Sequence, residues 1–426
     1  MRKVYKNVNI LDGTKNMAIK EKQMIVVEDG IIKNICDDDP RVEGANMGGR
    51  YVIPGLINLH VHIPATGFPK KKQTDTRKLA KLVMSTALTR DLAYKILCRP
   101  SAKTELLSGC TTIRAVGGVG HMDTRLRDEV KNGKCVGPRV IACDQAVTIP
   151  GGHMEGSVAY GATSLEDFEN FVESNCKAGV DWIKIMITGG VLDAKVKGEP
   201  GEMKMTPEQV KVCVDKAHSL GKKVCAHVES PTGVKVAIEN GVDSIEHGAL
   251  MDDDIVKKFL DKKAVLVCTL SPAIPLAFYP ESCGGNEVQQ YNSKVLLEGI
   301  IDGTKKCLKA GVKVGLGTDT GCPFITHYDM WRELEYAHKL LGIDRKEALY
   351  LATLNNAEIV GVENETGSLE IGKSADMVIV DKNPLDGFNT IRNPYKVVFK
   401  GKEYLEPRVK KSQEAEDLLD KYLATL

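Results

Sequence analysis

The sequence predicts an α/β protein: a (β/α)8 TIM barrel with a small β-sandwich formed by both chain ends. Three observations carry this reading. Eight apolar stretches between residues 51 and 319 alternate with amphipathic helical stretches, the pattern of a parallel barrel wrapped by helices. Short strand-and-turn segments occupy both ends of the chain. Histidine, lysine and aspartate recur where the apolar stretches end, and a barrel of this kind carries its chemistry at those ends.

Composition is that of an ordinary globular protein with a large core. The chain has 426 residues, 42% of them hydrophobic, enough to bury an extensive core. Fifty-eight basic residues face 57 acidic ones, a formal charge of +1, so charge gives no case for nucleic acid or a membrane surface. Partners must be argued from the site instead, which is expected to take a small-molecule substrate. The 12 cysteines form no Cys-x-x-Cys pair, and no apolar stretch of signal or transmembrane length follows Met1. These features read as a cytoplasmic protein with reduced thiols.

Taken in order, residues 1–52 supply the N-terminal part of the sandwich. Lys3 to Leu11 ends in Asp12-Gly13, Gln23 to Glu28 ends in Asp29-Gly30, and Ile31 to Ile35 follows, strands separated by turn dipeptides. Residues 53–366 form the barrel. Its first strand lies in Tyr51 to His62, and the loop from Ile63 to Asp75, with Lys70, Lys71 and Lys72, reads as solvated. Thr74 to Ser108 reads as one or two helices, with Leu79, Leu82, Val83, Leu88, Leu92 and Leu97 at helical spacing.

Seven further strands are expected at Thr111–Val116, Arg139–Thr148, Asp181–Thr188, Lys223–Val228, Ser244–His247, Ala264–Leu270 and Lys313–Asp319. Helix starts are signalled by Ser164 with Asp167 three residues on, and by Thr206 followed by Pro207 and Glu208. Residues 367–410 return to short strands and complete the sandwich. Residues 411–426 read as a helical tail, a candidate contact in a homo-oligomer.

Chemistry begins with His60-Val61-His62. Alternation along a strand points both imidazoles the same way, about 6–7 Å apart in rise, so they can share one metal ion. Strand four, Asp181-Trp-Ile-Lys184-Ile-Met-Ile-Thr188, places Lys184 on one face with Trp182 and Met186. A lysine aimed into a barrel is costly unless paired. A buried ion pair, a register that lifts Lys184 to the rim, and carboxylation of its amine into an anionic ligand are all open. His227 ends strand five, His247 ends strand six, and Asp319 ends strand eight. Together they form a nitrogen-rich cluster suited to zinc or a similar divalent ion.

The segments Val52-Ile-Pro-Gly-Leu-Ile-Asn-Leu-His60-Val-His62, Trp182-Ile-Lys184-Ile-Met-Ile-Thr-Gly-Gly-Val191, Ser244-Ile-Glu-His247-Gly and Gly317-Thr-Asp319 resemble the amidohydrolase superfamily. Within it they are similar to the binuclear, metal-dependent prolidase-like branch, which includes Xaa-Pro dipeptidases and related carboxypeptidases. The likeness runs from about residue 1 to 405 and includes Gly372-Lys-Ser-Ala-Asp376.

The resemblance implies two divalent metal ions, with zinc expected. It places His60, His62 and Asp319 on the first, His227 and His247 on the second, and carboxylated Lys184 between them. It further implies a hydroxide shared by the two ions that attacks an amide or peptide-like C–N bond, of dipeptide or N-acyl amino acid type. Asp319 would take the proton and pass it to the leaving nitrogen.

His153, in Gly151-Gly152-His153, resembles a substrate-contacting segment of the family, though a loop histidine without a role fits the sequence equally. Asp193 to Lys204 reads as a lid over the site. Relatives of the peptidase branch carry an aromatic residue two positions after the fifth-strand histidine, where this chain has Glu229. Pointing with His227, Glu229 would repel a free carboxylate and favours a neutral or basic substrate group; a salt bridge to a lysine is the alternative. A cyclic-amide hydrolase or deaminase resembling imidazolonepropionase is the second functional expectation. A non-catalytic scaffold is the third, disfavoured because all six ligand positions are occupied.

Overall fold

In a computed structural model that describes residues 1–69 and 75–426, the eight expected strand regions close into a ring. The first strand, Leu56–Val61, pairs in parallel with the second, Cys110–Ala115, which pairs with Arg139–Ala142. Trp182–Met186, Lys223–Val228, Ser244–His247, Val265–Cys268 and Val314–Leu316 follow as parallel neighbours. The ring shuts where Asp319 donates its backbone N–H to the carbonyl of His60 at 2.9 Å and His62 donates to Thr320 at 2.8 Å. Gly317 makes this closure possible, because a Cβ there would stand 2.6 Å from the Cβ of His60.

The third strand departs from the continuous Arg139–Thr148 expected from its apolar character. It breaks into Arg139–Ala142 and Ala146–Thr148, with Asp144 between them at φ 56°. The first piece pairs with strand two and the second, through Val147, with strand four. The break has a local cause. The Asp144 carboxylate accepts the backbone N–H groups of Asp123 and Thr124 at the start of the helix Met122–Lys131, which favours an anion at a helix N-terminus over strand continuity.

Helices outside the ring begin as their sequences predict. Ser164 accepts from the backbone of Asp167, and Thr206 makes a reciprocal cap with Gln209 ahead of Pro207. In the helical stretch Thr76–Leu107, Val83 and Leu97 pack against the barrel core with Ala93, Tyr94 and Cys98, whereas Leu79, Leu82, Leu88 and Leu92 face solvent. Spacing gives the helix there and only part of its buried side. Lys70, Lys71 and Lys72 lie outside the described residues.

The two chain ends share one sheet. Met377–Val380 pairs antiparallel with Tyr51–Pro54, which runs on into the first barrel strand, and with Lys396–Phe399. Arg2–Ile10 joins Tyr51–Pro54 to Lys20–Glu28 and Ile31–Asp37. The sheet curls until Ile31 bridges Ser374, enclosing Tyr5, Val8, Ile25, Val52, Met377 and Val398. Arg139 fastens sandwich to barrel, its guanidinium buried 2.9 Å from both Asp376 Oδ2 and Thr112 Oγ1.

The C-terminal helix Gln413–Leu423 packs back onto its own chain. Its apolar face, Ala415, Leu419 and Tyr422, is buried on its own chain, where Arg332 and Arg392 pair with Glu416 and Asp420. Among the described residues no helix is long and apolar enough to cross a membrane.

Candidate metal centre

At the C-terminal end of the ring the residues singled out in sequence come together in two adjacent groups, His60 with His62 and Asp319, and His227 with Glu229 and His247. In each group the potential ligand atoms lie within 4.8 Å of one another. The groups abut, since the rings of His60 and His247 are 4.7 Å apart at their centroids. Asp319 Oδ1 stands 3.4 Å from His60 Nε2 and 3.2 Å from His62 Nε2. Asp319 and His247 both occupy left-handed backbone, at φ 55° and 67°, a local cost of the kind that gathers at functional sites.

Each imidazole is oriented from behind. His60 Nδ1 bonds Glu246 at 2.8 Å, His62 Nδ1 the carbonyl of Gly117 at 3.1 Å, and His247 Nδ1 the hydroxyl of Thr269 at 2.8 Å. His227 differs, using Nε2 against the Gly189 carbonyl at 3.2 Å, which leaves its Nδ1 as the unused nitrogen. Such partners fix the ring and free the other nitrogen for a ligand. Burial and the charge of Lys184 hold His60 well below the ordinary imidazole range, burial and the neighbouring histidines do the same to His227, and burial lowers His247 to about 4. Neutral imidazoles are what a metal requires. Burial would raise Asp319, but the imidazoles of His60, His62 and His247 outweigh it and keep the carboxylate ionised.

Lys184 lies among these groups. Only 1% of it is exposed, its Nζ has no hydrogen-bond partner among the described residues, and its charge depresses His60, His227 and His247. Neither the ion pair nor the rim position open in the sequence is what the fold provides. An unpaired ammonium ringed by imidazoles is unfavourable. The donor set therefore fits divalent cations.

His153 lies flat on His227, with centroids 4.1 Å apart and planes 8° from parallel. Its Nδ1 bonds the carboxylate of Asp193. Gly190 leaves room for this stack, since a Cβ there would be 2.7 Å from the His153 ring. Glu229 is buried beside His227 and accepts the backbone N–H of Val191 at 2.9 Å. No lysine or arginine pairs with it among the described residues, so the salt bridge considered from sequence does not form.

Sequence reasoning missed four supporting residues: Glu246, Arg114, Thr269 and Cys322. Glu246 links His60 to the fully buried guanidinium of Arg114 at 2.6 Å, and Cys322 Sγ lies 3.2 Å from Asp319 Oδ2. A charged residue at an inward strand position was the available signal for Glu246 and Arg114.

The sequence profile of the amidohydrolase family matches residues 51–404. The chain belongs to this family. Among solved structures, a candidate prolidase from Bifidobacterium longum is 35% identical, with a TM-score of 0.84 over 99% of this chain and 98% of that one. A Xaa-Pro dipeptidase with methionine bound in its active site is 27% identical, with a TM-score of 0.82 over 95% of this chain and 100% of that one. These matches lie in the prolidase-like branch of the family. By sequence, ochratoxinase of Aspergillus niger is 28% identical over 70% of this chain, and the chain spans 65% of that relative's length. Imidazolonepropionase of Kosmotoga olearia is 23% identical over 87% of each chain.

Proposed function

We propose that this amidohydrolase-family member is a metal-dependent hydrolase that cleaves an amide or peptide-like C–N bond of a small molecule. In this reading His60, His62 and Asp319 hold one divalent ion, His227 and His247 hold a second, and carboxylated Lys184 lies between them; zinc is the expected metal. The observation that carries the reading is the buried Nζ of Lys184, without a hydrogen-bond partner among the described residues and amid three imidazoles. Addition of carbon dioxide to the neutral amine, with loss of a proton, turns a misplaced cation into a two-oxygen anion. The family's prolidase-like structures support the reaction class.

Bound divalent ions supply Lewis acidity toward a carbonyl and make water nucleophilic near neutral pH. The chain's own residues do the rest. Asp319, ionised and within 3.4 Å of both first-cluster imidazoles, accepts the proton of the attacking water and delivers it to the leaving nitrogen. His153, clamped by Asp193 and stacked on His227, keeps its Nε2 for a substrate oxygen. The buried surroundings of the cluster keep bulk water from screening these charges.

The test is elemental analysis of purified protein with a zinc-loaded screen of dipeptides, N-acyl amino acids and cyclic amides. About two ions per chain and amide cleavage are expected; full activity after complete chelation would sink the proposal. A second reading, a cyclic-amide hydrolase or deaminase, is favoured by the imidazolonepropionase match across 87% of each chain. One ion per chain with ring opening or ammonia release would select it. The cytoplasmic location and homo-oligomer expected from sequence stand as proposals; the solvent-facing Leu82, Leu88, Leu92 and Ile96 are the candidate contact, and sedimentation of the full chain tests it.

A further inference from the structure

We infer that Asn292 is a positioning residue for substrate: it latches residues 191–204 as a strap over the second group and, through Asp193, holds His153 in place. The kinetic side of this role rests on the hydrolase reading, and the latch itself does not.

The strap leaves the ring at the end of strand four and has a fixed base. Thr188 bridges Met203 in antiparallel fashion, Gly189 donates its N–H to the carbonyl of Glu202 at 2.7 Å, and Lys204 donates to that of Ile187 at 2.9 Å. Gly201 lies against the backbone just beyond strand five, where a Cβ would stand 2.5 Å from the Glu229 carbonyl. The tip is different. Lys195, Val196, Lys197, Gly198 and Glu199 are exposed, so it gains little from apolar packing, and segments of that kind open readily.

The tip is held from the far side of the mouth. The helix Glu287–Ala310 follows strand seven, and three residues near its start reach the strap. Gln289 Nε2 donates to the Leu192 carbonyl at 3.0 Å, and the Lys197 ammonium pairs with Glu287 at 2.5 Å. Asn292 makes the central contact: its Nδ2 donates to the Val196 carbonyl at 2.8 Å and its Oδ1 accepts the Gly198 N–H at 2.7 Å. Its side chain is fully buried, yet both ends of the amide are spent on an exposed loop. A buried amide stripped of its partners is unfavourable, which favours the latched strap. Running from strand four to the helix after strand seven, the strap passes the ends of strands five and six, where His227 and His247 lie.

Asp193 is what the strap carries inward. Its carboxylate accepts the N–H of Gly190 at 3.2 Å and bonds Nδ1 of His153, whose ring stacks on His227. In the chain Asp193 stands between Leu192, which Gln289 fixes, and Val196, which Asn292 fixes. Lifting the tip therefore moves the carboxylate that orients His153.

Three measurements on the zinc-loaded full chain test this. In the wild type the Gly198 amide, read by mass spectrometry of overlapping peptides, should exchange its hydrogen at least about tenfold more slowly than a free chain. Tryptic cutting after Lys195 and Lys197 should run about 5- to 150-fold faster in Asn292→Ala, the shift in open population expected when two hydrogen bonds are lost. Asn292→Asp, which keeps the acceptor for Gly198, should fall between. On the amide that the screen identifies, Asn292→Ala should raise KM about 2- to 10-fold and leave kcat within about twofold, the mark of a loosened binding contact. Metal content should stay at the wild-type value. Asp193→Asn should raise KM similarly without faster cutting at the tip, and adding Asn292→Ala to it should raise KM no further.

Free-chain exchange at Gly198 in the wild type overturns the latch, as does unchanged cutting in a folded Asn292→Ala. Losses in KM that multiply in the double variant, or loss of an ion, overturn the route through Asp193 and His153. Where the variants fail to fold, the wild-type exchange decides the latch. Cleavage of no amide rejects the hydrolase reading, while exchange and cutting still uphold or overturn the latch.

Discussion

His60 and Asp319 are held from within the ring of strands and His62 from just past the end of strand two, whereas His227 and Glu229 lean on the loops that follow strands three and four. In the first group, Glu246 fixes His60 from the opposite side of the barrel, the Gly117 carbonyl fixes His62, and Asp319 is tied by its backbone to His60. In the second, His227 touches the Gly189 carbonyl and the ring of His153, and Glu229 receives the N–H of Val191. Loop residues vary what a scaffold can bind, and strand residues keep what it must hold. The first group therefore reads as the constant part of the chemistry and the second as the place where substrate choice enters.

The largest break in this comparison should come from Lys184, which touches both halves electrostatically. Lys184→Ala is expected to lose both ions by elemental analysis and to retain less than roughly 10⁻⁴ of wild-type activity, because the metal's contribution goes with them. Asp319→Asn removes the proton carrier and weakens one ligand; kcat should fall about 10²- to 10⁴-fold, measured on whichever amide the screen identifies.

Smaller effects separate the halves. Glu246→Gln weakens the hold on His60 and strips the buried Arg114 of its counter-charge. Metal affinity should fall about 10- to 100-fold, and thermal unfolding should show a loss of about 3–5 kcal/mol. Thr269→Val removes only the hydroxyl behind His247, so competition with a chelator should show one ion bound about tenfold more weakly and the fold little changed.

The mildest test is a pH profile of stability. Glu333 accepts the backbone N–H groups of Leu270 and Ser271, beside Thr269, and burial raises its carboxyl to about 7 despite those donors and the Ser271 hydroxyl. Its folded pKa lies above the unfolded value, so between about 4.5 and 7 the unfolded chain binds fewer protons and stability falls as pH rises, by up to about 3 kcal/mol. Urea titrations should show that slope in the wild type and a flatter one in Glu333→Gln. Identical slopes would mean that Glu333 stays ionised, held by its three donors.

Much of this was legible in the sequence because it depends on local periodicity. Strand alternation aligns His60 with His62, and the βα repeat puts His227, His247 and Asp319 at strand ends. The break at Asp144 was not legible, since it depends on a carboxylate finding the start of a helix some 20 residues earlier in the chain. Nor was all of the buried side of Thr76–Leu107, where Val83 and Leu97 pack inward as their spacing suggests but Leu79, Leu82, Leu88 and Leu92 face solvent while Ala93 is buried. Side-chain size normally predicts the reverse.

The sequence by itself determined the eightfold alternation, the short strands at both chain ends and the strand-end positions of the candidate ligands, because each is set by neighbours a few residues apart. The tertiary structure alone decided that Lys184 is buried with no hydrogen-bond partner among the described residues, that Glu246 stands behind His60 from 186 residues away, and that Glu229 is buried beside His227 with no lysine or arginine paired to it among the described residues. Burial and electrostatic pairing are properties of residues brought together from distant strands, and those distances exist only once the ring has closed.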